Sequence, residues 1–155
     1  MPDDFDIAWQ FYEGVAGVCN VGKWGFVAKD GHMVSECKYQ EIWHFSEGLA
    51  RVRLRGLWGY INLSGETVIN CKYTQAFDFK NGVAKVSNGK YFGLINACGD
   101  ELTDFVYSEI DNFQNSYAIA KRGSFYGVIM SNGDVHIDFV HNRILSFDYV
   151  NGRIM

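Results

Sequence analysis

A chain of 155 residues with 48% apolar and 21% charged residues has the composition of one folded domain or a short repeat array, which excludes a disordered polymer. Its net charge of −4 lacks the basic footprint of a nucleic-acid binder, and no apolar run approaches the roughly 20 residues of a membrane helix. Neither nucleic acid nor membrane is therefore expected as a partner.

Aromatics at 16%, 17 glycines and a single proline favour strands joined by tight turns. At the N-terminus, residues 1–6 are acidic and lack the basic and apolar regions of a signal peptide, so a cytoplasmic location is expected. Residues 5–10 read as the tail of a repeat unit, and from Phe11 the chain repeats itself every 34 residues. The copies span residues 11–44, 45–78, 79–112 and 113–146, and residues 147–155 form the head of a further unit, so that 1–155 is a single array. Phe11, Phe45, Phe79, Phe113 and Phe147 share one register; Gly25, Gly59, Gly93 and Gly127 share another, each preceded by an aromatic residue. Gly31, Gly65, Gly99 and Gly133 form a further column, as do Ala16, Ala50, Ala84 and Ala118.

The second copy spells out the unit. Alternation in Ala50-Arg51-Val52-Arg53-Leu54-Arg55 predicts a half-buried strand over Leu49 to Leu54. A turn through Gly56 leads to a second strand from Trp58 to Asn62, and a turn through Gly65 to a third from Thr67 to Tyr73. Gly59 lies inside a strand, where glycine marks a bulge or a close backbone approach. Tyr39, Ile42 and Phe45 step by three, which predicts a helical turn at the junction between copies. The expected fold is thus all-β, with tandem three-stranded repeats in an open twisted array; a small closed, propeller-like ring is the alternative. Helix pairs of the same period are excluded, because the repeated glycines would each cost a helix about 1 kcal/mol.

Gly-Lys-Trp-Gly-Phe-Val (22–27), Phe-Ser-Glu-Gly-Leu-Ala (45–50) and Leu-Trp-Gly-Tyr-Ile-Asn (57–62) resemble the bacterial WG-repeat, or KWG-repeat, family. The resemblance weakens through copy three, with Phe92-Gly93-Leu94-Ile95, and copy four, with Tyr126-Gly127-Val128-Ile129. It implies a β-repeat structure without defined catalytic residues.

There is no nucleophile elbow, P-loop or H-E-x-x-H helix in the sequence, and the glycines fall at hairpin turns. An enzyme is not expected, nor a cofactor. Cys19, Cys37, Cys71 and Cys98 form no C-x-x-C pair and read as free thiols; no metal site is expected. The acidic cluster Asp100, Glu101, Asp104, Glu109 and Asp111 reads as a solvated rim, with a weak cation site as its alternative.

Two features point to a binding surface. Arg51, Arg53 and Arg55 form a stripe on one strand face with no acidic residue in the opposing strand, and Lys85 continues it in the next copy; the stripe reads either as a solvated face that protects a sheet edge or as a surface for an anionic ligand or acidic partner. Trp43 and Phe77 belong to a column, with Trp9 before them, that becomes Asp111 in copy three and Leu145 in copy four; such residues either pack between repeats or stand out as interface anchors. Together they predict a non-catalytic protein-interaction scaffold whose partner is a protein with an acidic surface. A toxin-neutralising protein is one form of this reading. Carbohydrate or cell-envelope glycan binding is the alternative.

Overall fold

The computed structural model describes residues 5–155, which contain strands, turns and loops but no helix. The reading of an acidic, leaderless N-terminus falls largely on residues 1–4, outside the described residues. Each copy becomes a small antiparallel sheet. The first contains β1 (Ile7–Tyr12), β2 (Val15–Asn20), β3 (Lys23–Ala28) and β4 (Met33–Tyr39); the second contains β5 (Glu41–Ile42), β6 (Leu49–Leu54), β7 (Leu57–Asn62) and β8 (Thr67–Tyr73). The third contains β9 (Gln75–Ala76), β10 (Val83–Ser87) and β11 (Phe92–Asn96), and the fourth β12 (Glu109–Ile110), β13 (Tyr117–Arg122), β14 (Phe125–Met130) and β15 (Val135–His141). A hairpin of β16 (Phe147–Asp148) and β17 (Arg153–Ile154) ends the chain.

The junction between copies corrects one expectation. No helical turn forms there; Glu41–Ile42 and Gln75–Ala76 are two-residue strands that pair with β6 and β10 of the same sheet. The unit is therefore three long strands plus a short edge strand drawn from the linker. Copy three departs in a second way, because its third strand is reduced to the isolated bridges Phe92↔Tyr107 and Ile95↔Glu101. Thr103 stands where Ile69 stands one copy earlier, and its Oγ1 accepts the Leu94 N–H at 3.1 Å. That side chain takes an amide which a regular ladder would give to backbone.

The repeated glycines each have a physical cause. Register shifts at Trp24/Phe26, Trp58/Tyr60 and Tyr126/Val128 place the first column at bulges. At Gly59, β8 passes so close that a Cβ would lie 2.6 Å from the Cys71 amide nitrogen. Gly65 has φ +83° and abuts the Val34 carbonyl of the preceding copy, so both its conformation and its position exclude a side chain.

The core lies between copies rather than within them. Val15, Phe26 and Tyr39 pack on Ile42 of the linker strand and on Phe45, Ala50 and Ile61 of the next copy. Tyr60, Ile69 and Tyr73 pack in the same way on Ala76, Phe79, Ala84 and Ile95, and Val83, Leu94 and Tyr107 on Ile110, Ala118 and Ile129. Phe45 meets Phe26 edge-on at 4.8 Å between ring centroids, and Phe79 meets Tyr60 at the same distance. Burying each of these rings contributes roughly 1.5–3 kcal/mol, and only a neighbouring copy supplies the partner.

Backbone turns add a second inter-copy link. Glu47 and Gly48, at φ 53° and 79°, are the two central residues of a tight hairpin turn, and both need positive φ. Their N–H groups donate to the Glu13 carboxylate at 3.0 and 2.8 Å, 34 and 35 residues back. Glu47 in turn accepts from the Asn81 and Gly82 N–H groups at 2.5 and 2.9 Å. Strand pairs and hydrogen bonds among the described residues link only consecutive copies, so the array is open.

Candidate interaction site

Alternation along β6 sends Ala50 and Val52 into the core shared with copy one and turns Arg51 towards copy three. Arg51 does not stand free there. Its Nη1 donates to the Ala76 carbonyl at 2.7 Å, and its Nε pairs with Asp78 Oδ1 at 3.1 Å, with both side chains about four-fifths buried. The guanidinium also lies 5.0 Å from the Trp43 ring, 5.8 Å from Trp58 and 5.9 Å from Phe77. In copy three Lys85 repeats the arrangement: Nζ donates to the Ile110 carbonyl at 2.8 Å and sits 4.5 Å from Phe77 and 5.3 Å from Phe92. Burial pushes the Lys85 ammonium below the usual lysine range, and the charge of Asp111 partly opposes that shift.

These contacts join most of the expected residues into one ladder. Trp9 packs on Trp43 at 6.2 Å, and the order then runs Trp43, Arg51, Phe77, Lys85, Phe92, alternating ring and cation across copies one to three. Copy one carries Gly17 in the cation's place because Trp9 fills the space; a Cβ on Gly17 would lie 2.7 Å from its ring. The rings are not fully buried. Trp43 keeps 44% of its surface exposed and Phe77 38%.

The remaining arginines fall elsewhere. Arg53 pairs with Glu41 on the adjoining edge strand at 2.8 Å, and Arg55 occupies the exposed β6–β7 turn at φ 55°. The expectation of three uncompensated arginines on one face is thereby corrected. Asp78 and Glu41 supply the counter-charges from the linkers, outside the opposing strand, and Arg55 lies beyond the face. Reading the linker as a helical turn hid both carboxylates.

Several depressions flank the ladder, and two bear on its chemistry. One, of about 230 Å³, lies where copies two to four meet and is lined by Arg51, Phe77, Asp78, Lys80, Asn81, Lys85, Asp111 and Phe113 among others. The other, of about 520 Å³, is an open aromatic trough on copy one lined by Trp9, Gln10, Tyr12, Trp43 and His44, in which Tyr12 and His44 stack at 4.4 Å. The acidic residues of copy three do not converge. Among the described residues no group of three or more His, Cys, Asp or Glu side chains is placed to hold a metal ion. All four cysteines are free, and Cys37 and Cys71 donate to the Val18 and Val52 carbonyls of their own copies.

A stack of small antiparallel sheets, bonded copy to copy and carrying a ring–cation ladder at two junctions, defines a β-repeat scaffold. The WG containing repeat family matches residues 24–58, 58–91 and 92–124, and the chain belongs to that family. No curated protein matches it. Among solved structures it is similar to Hsv2 of Kluyveromyces lactis with loop 6CD replaced by a Gly-Ser linker, at TM-score 0.56 and 9% identity, covering 86% of this chain and 52% of that one. Kluyveromyces lactis Hsv2 itself gives TM-score 0.51 and 9% identity over 85% of this chain and 50% of that one. At this identity the likeness is one of fold, and the chain spans about half the length of these structures.

Proposed function

We propose that the chain is a non-catalytic protein-interaction scaffold, and that its partner presents acidic groups to the surface around Arg51, Arg53, Arg55 and Lys85. The ring–cation ladder carries this reading: half-exposed Trp43 and Phe77 lie against neighbouring cations and present large aromatic area to solvent, as interface anchors do. Arg53 and Arg55 border it with more accessible charge and steer an acidic partner towards it. Arg51 and Lys85 act mainly by positioning the rings. A toxin-neutralising protein is one form that such a scaffold takes.

Affinity capture from the source lysate with mass spectrometry identifies the partner, and a Trp43→Ala/Arg53→Ser/Arg55→Ser variant tests the surface. The variant is expected to fold normally and lose the captured protein, and wild-type capture is expected to weaken as salt rises. A folded variant that captures the same protein equally well would remove this face from the reading.

The aromatic trough on copy one supports a second reading, glycan binding, because sugar rings stack on exposed aromatic faces such as Trp43 and Tyr12. Tryptophan fluorescence titrated with soluble oligosaccharides separates the two readings. A saturable change abolished by Trp43→Ala would favour the glycan.

A further inference from the structure

The carboxylate ladder between copies stops after Glu47, because Asn81 and Asn115 take the corresponding positions. Glu13 caps the turn of copy two and Glu47 the turn of copy three, each accepting two consecutive backbone N–H groups. In copy three the same position is Asn81, and neither the Asn115 nor the Ser116 N–H of the following turn has an acceptor among the described residues. The turn itself is unchanged in kind: φ is 49° at Asn115 and 71° at Ser116, against 53° and 79° at Glu47 and Gly48. A donor pair shaped for a carboxylate is retained where the chain supplies none.

The smaller cleft opens at that same junction. Its walls include Lys80 and Asn81 on one side and Asn112 and Phe113 on the other, the segments leading into the turns of copies three and four. Arg51, Lys80 and Lys85 line it against Asp78 and Asp111, so its side chains carry one more positive charge than negative, a balance that leans towards an anion. Consecutive N–H groups at positive φ form a concavity for anions, and N–H bonds to a carboxylate are stronger than those to neutral acceptors.

We infer that this junction receives a glutamate side chain from an acidic segment of the partner protein, the carboxylate binding the Asn115 and Ser116 N–H groups as Glu13 and Glu47 bind their turns. The inference rests on the interaction-scaffold reading and names the chemistry by which the partner is held. The sister turns provide the template: the incoming carboxylate continues the ladder past Asn81, and its methylene groups lie against the Phe113 side of the cleft. The specificity is built by one substitution within the repeat.

Amide NMR of the whole chain, titrated with a blocked hexaglutamate peptide, tests this directly. Saturable downfield movement of the Asn115 and Ser116 amide protons is expected. Asn81→Glu should fill the site from within, since Glu47 shows that glutamate is accommodated at this turn position. The variant's Asn115 and Ser116 amides should then start in the shifted position, and its affinity for the peptide should fall at least tenfold. Absence of saturable movement, equal binding by Asn81→Glu, or inorganic phosphate acting at lower concentration than the peptide would each overturn the inference. Capture of the natural partner undiminished by Asn81→Glu would also refute it while leaving the scaffold reading intact.

Discussion

Gly59 shows how one residue type can be dictated by a neighbouring strand. Its backbone φ is not left-handed, so conformational freedom is not the reason for glycine. The cause is the bulged approach of β8, which leaves no room for a Cβ beside the Cys71 nitrogen. Since backbone cannot yield as a side chain can, Gly59→Ala is expected to cost about 3 kcal/mol or more in urea unfolding, at or beyond the upper end of overpacking effects. The column of glycines made this position legible in the sequence. Tyr73 was not legible in the same way: its place in a column predicts burial, but not that its hydroxyl would have no hydrogen-bond partner among the described residues. Burial first, and the nearby Glu101 charge second, push its phenol up to about 12. Because the folded value exceeds the unfolded one, this neutral phenol's contribution is intact below about pH 10 and is lost as pH rises towards 12. Tyr73→Phe should hold or raise stability at neutral pH and lessen the loss between pH 10 and 12, as thermal melts across that range would show.

Among the elements, the linker strands carry the main departure from expectation. Glu41–Ile42 and Gln75–Ala76 are too short for an alternating pattern to announce them, and the three-residue spacing to the next Phe imitates one turn of helix. Longer strands were legible because six or seven residues display the period of two; β6 and β8 fall on their expected bounds. The counter-charges of the arginines came from the misread linkers, so Trp43, Arg51, Phe77 and Lys85 were recognisable as unusual while the way they interlock was not. That interlocking separates two arginines that the sequence presents as equivalent. Arg51→Ser removes one half of a pair in which both side chains are about four-fifths buried, strands Asp78 and loosens Trp43 and Phe77; a loss of roughly 2–3 kcal/mol is expected. Arg53→Ser breaks a pair of which Glu41 is more than half exposed, and should change stability by less than about 1 kcal/mol. Equal effects of the two substitutions on the urea midpoint would show that the ladder does not stiffen this face.

For the whole molecule, the decisive feature is that each core belongs to two consecutive copies. A closed ring loses two interfaces when one copy is removed and leaves both exposed ends without partners. An open stack of this kind loses one interface and keeps the others. Ending the chain after Asn112 takes away Ala118, Ala120, Ile129 and Phe139, which uncovers Val83, Leu94 and Tyr107 but leaves the two earlier junction cores intact. Residues 1–112 are therefore expected to retain a β-type circular dichroism spectrum and a cooperative melt at a lower temperature. Phe79→Ala in the full chain acts differently, because Phe79 is 1% exposed in the core that joins copies two and three. Its roughly 3–5 kcal/mol cost falls in the middle of the array, where it uncouples the halves and should broaden the transition or divide it in two. The pair of measurements distinguishes nearest-neighbour stability from an all-or-none fold. Complete unfolding of the shortened chain, together with a single sharp transition in Phe79→Ala, would show that the copies depend on one another beyond their immediate neighbours.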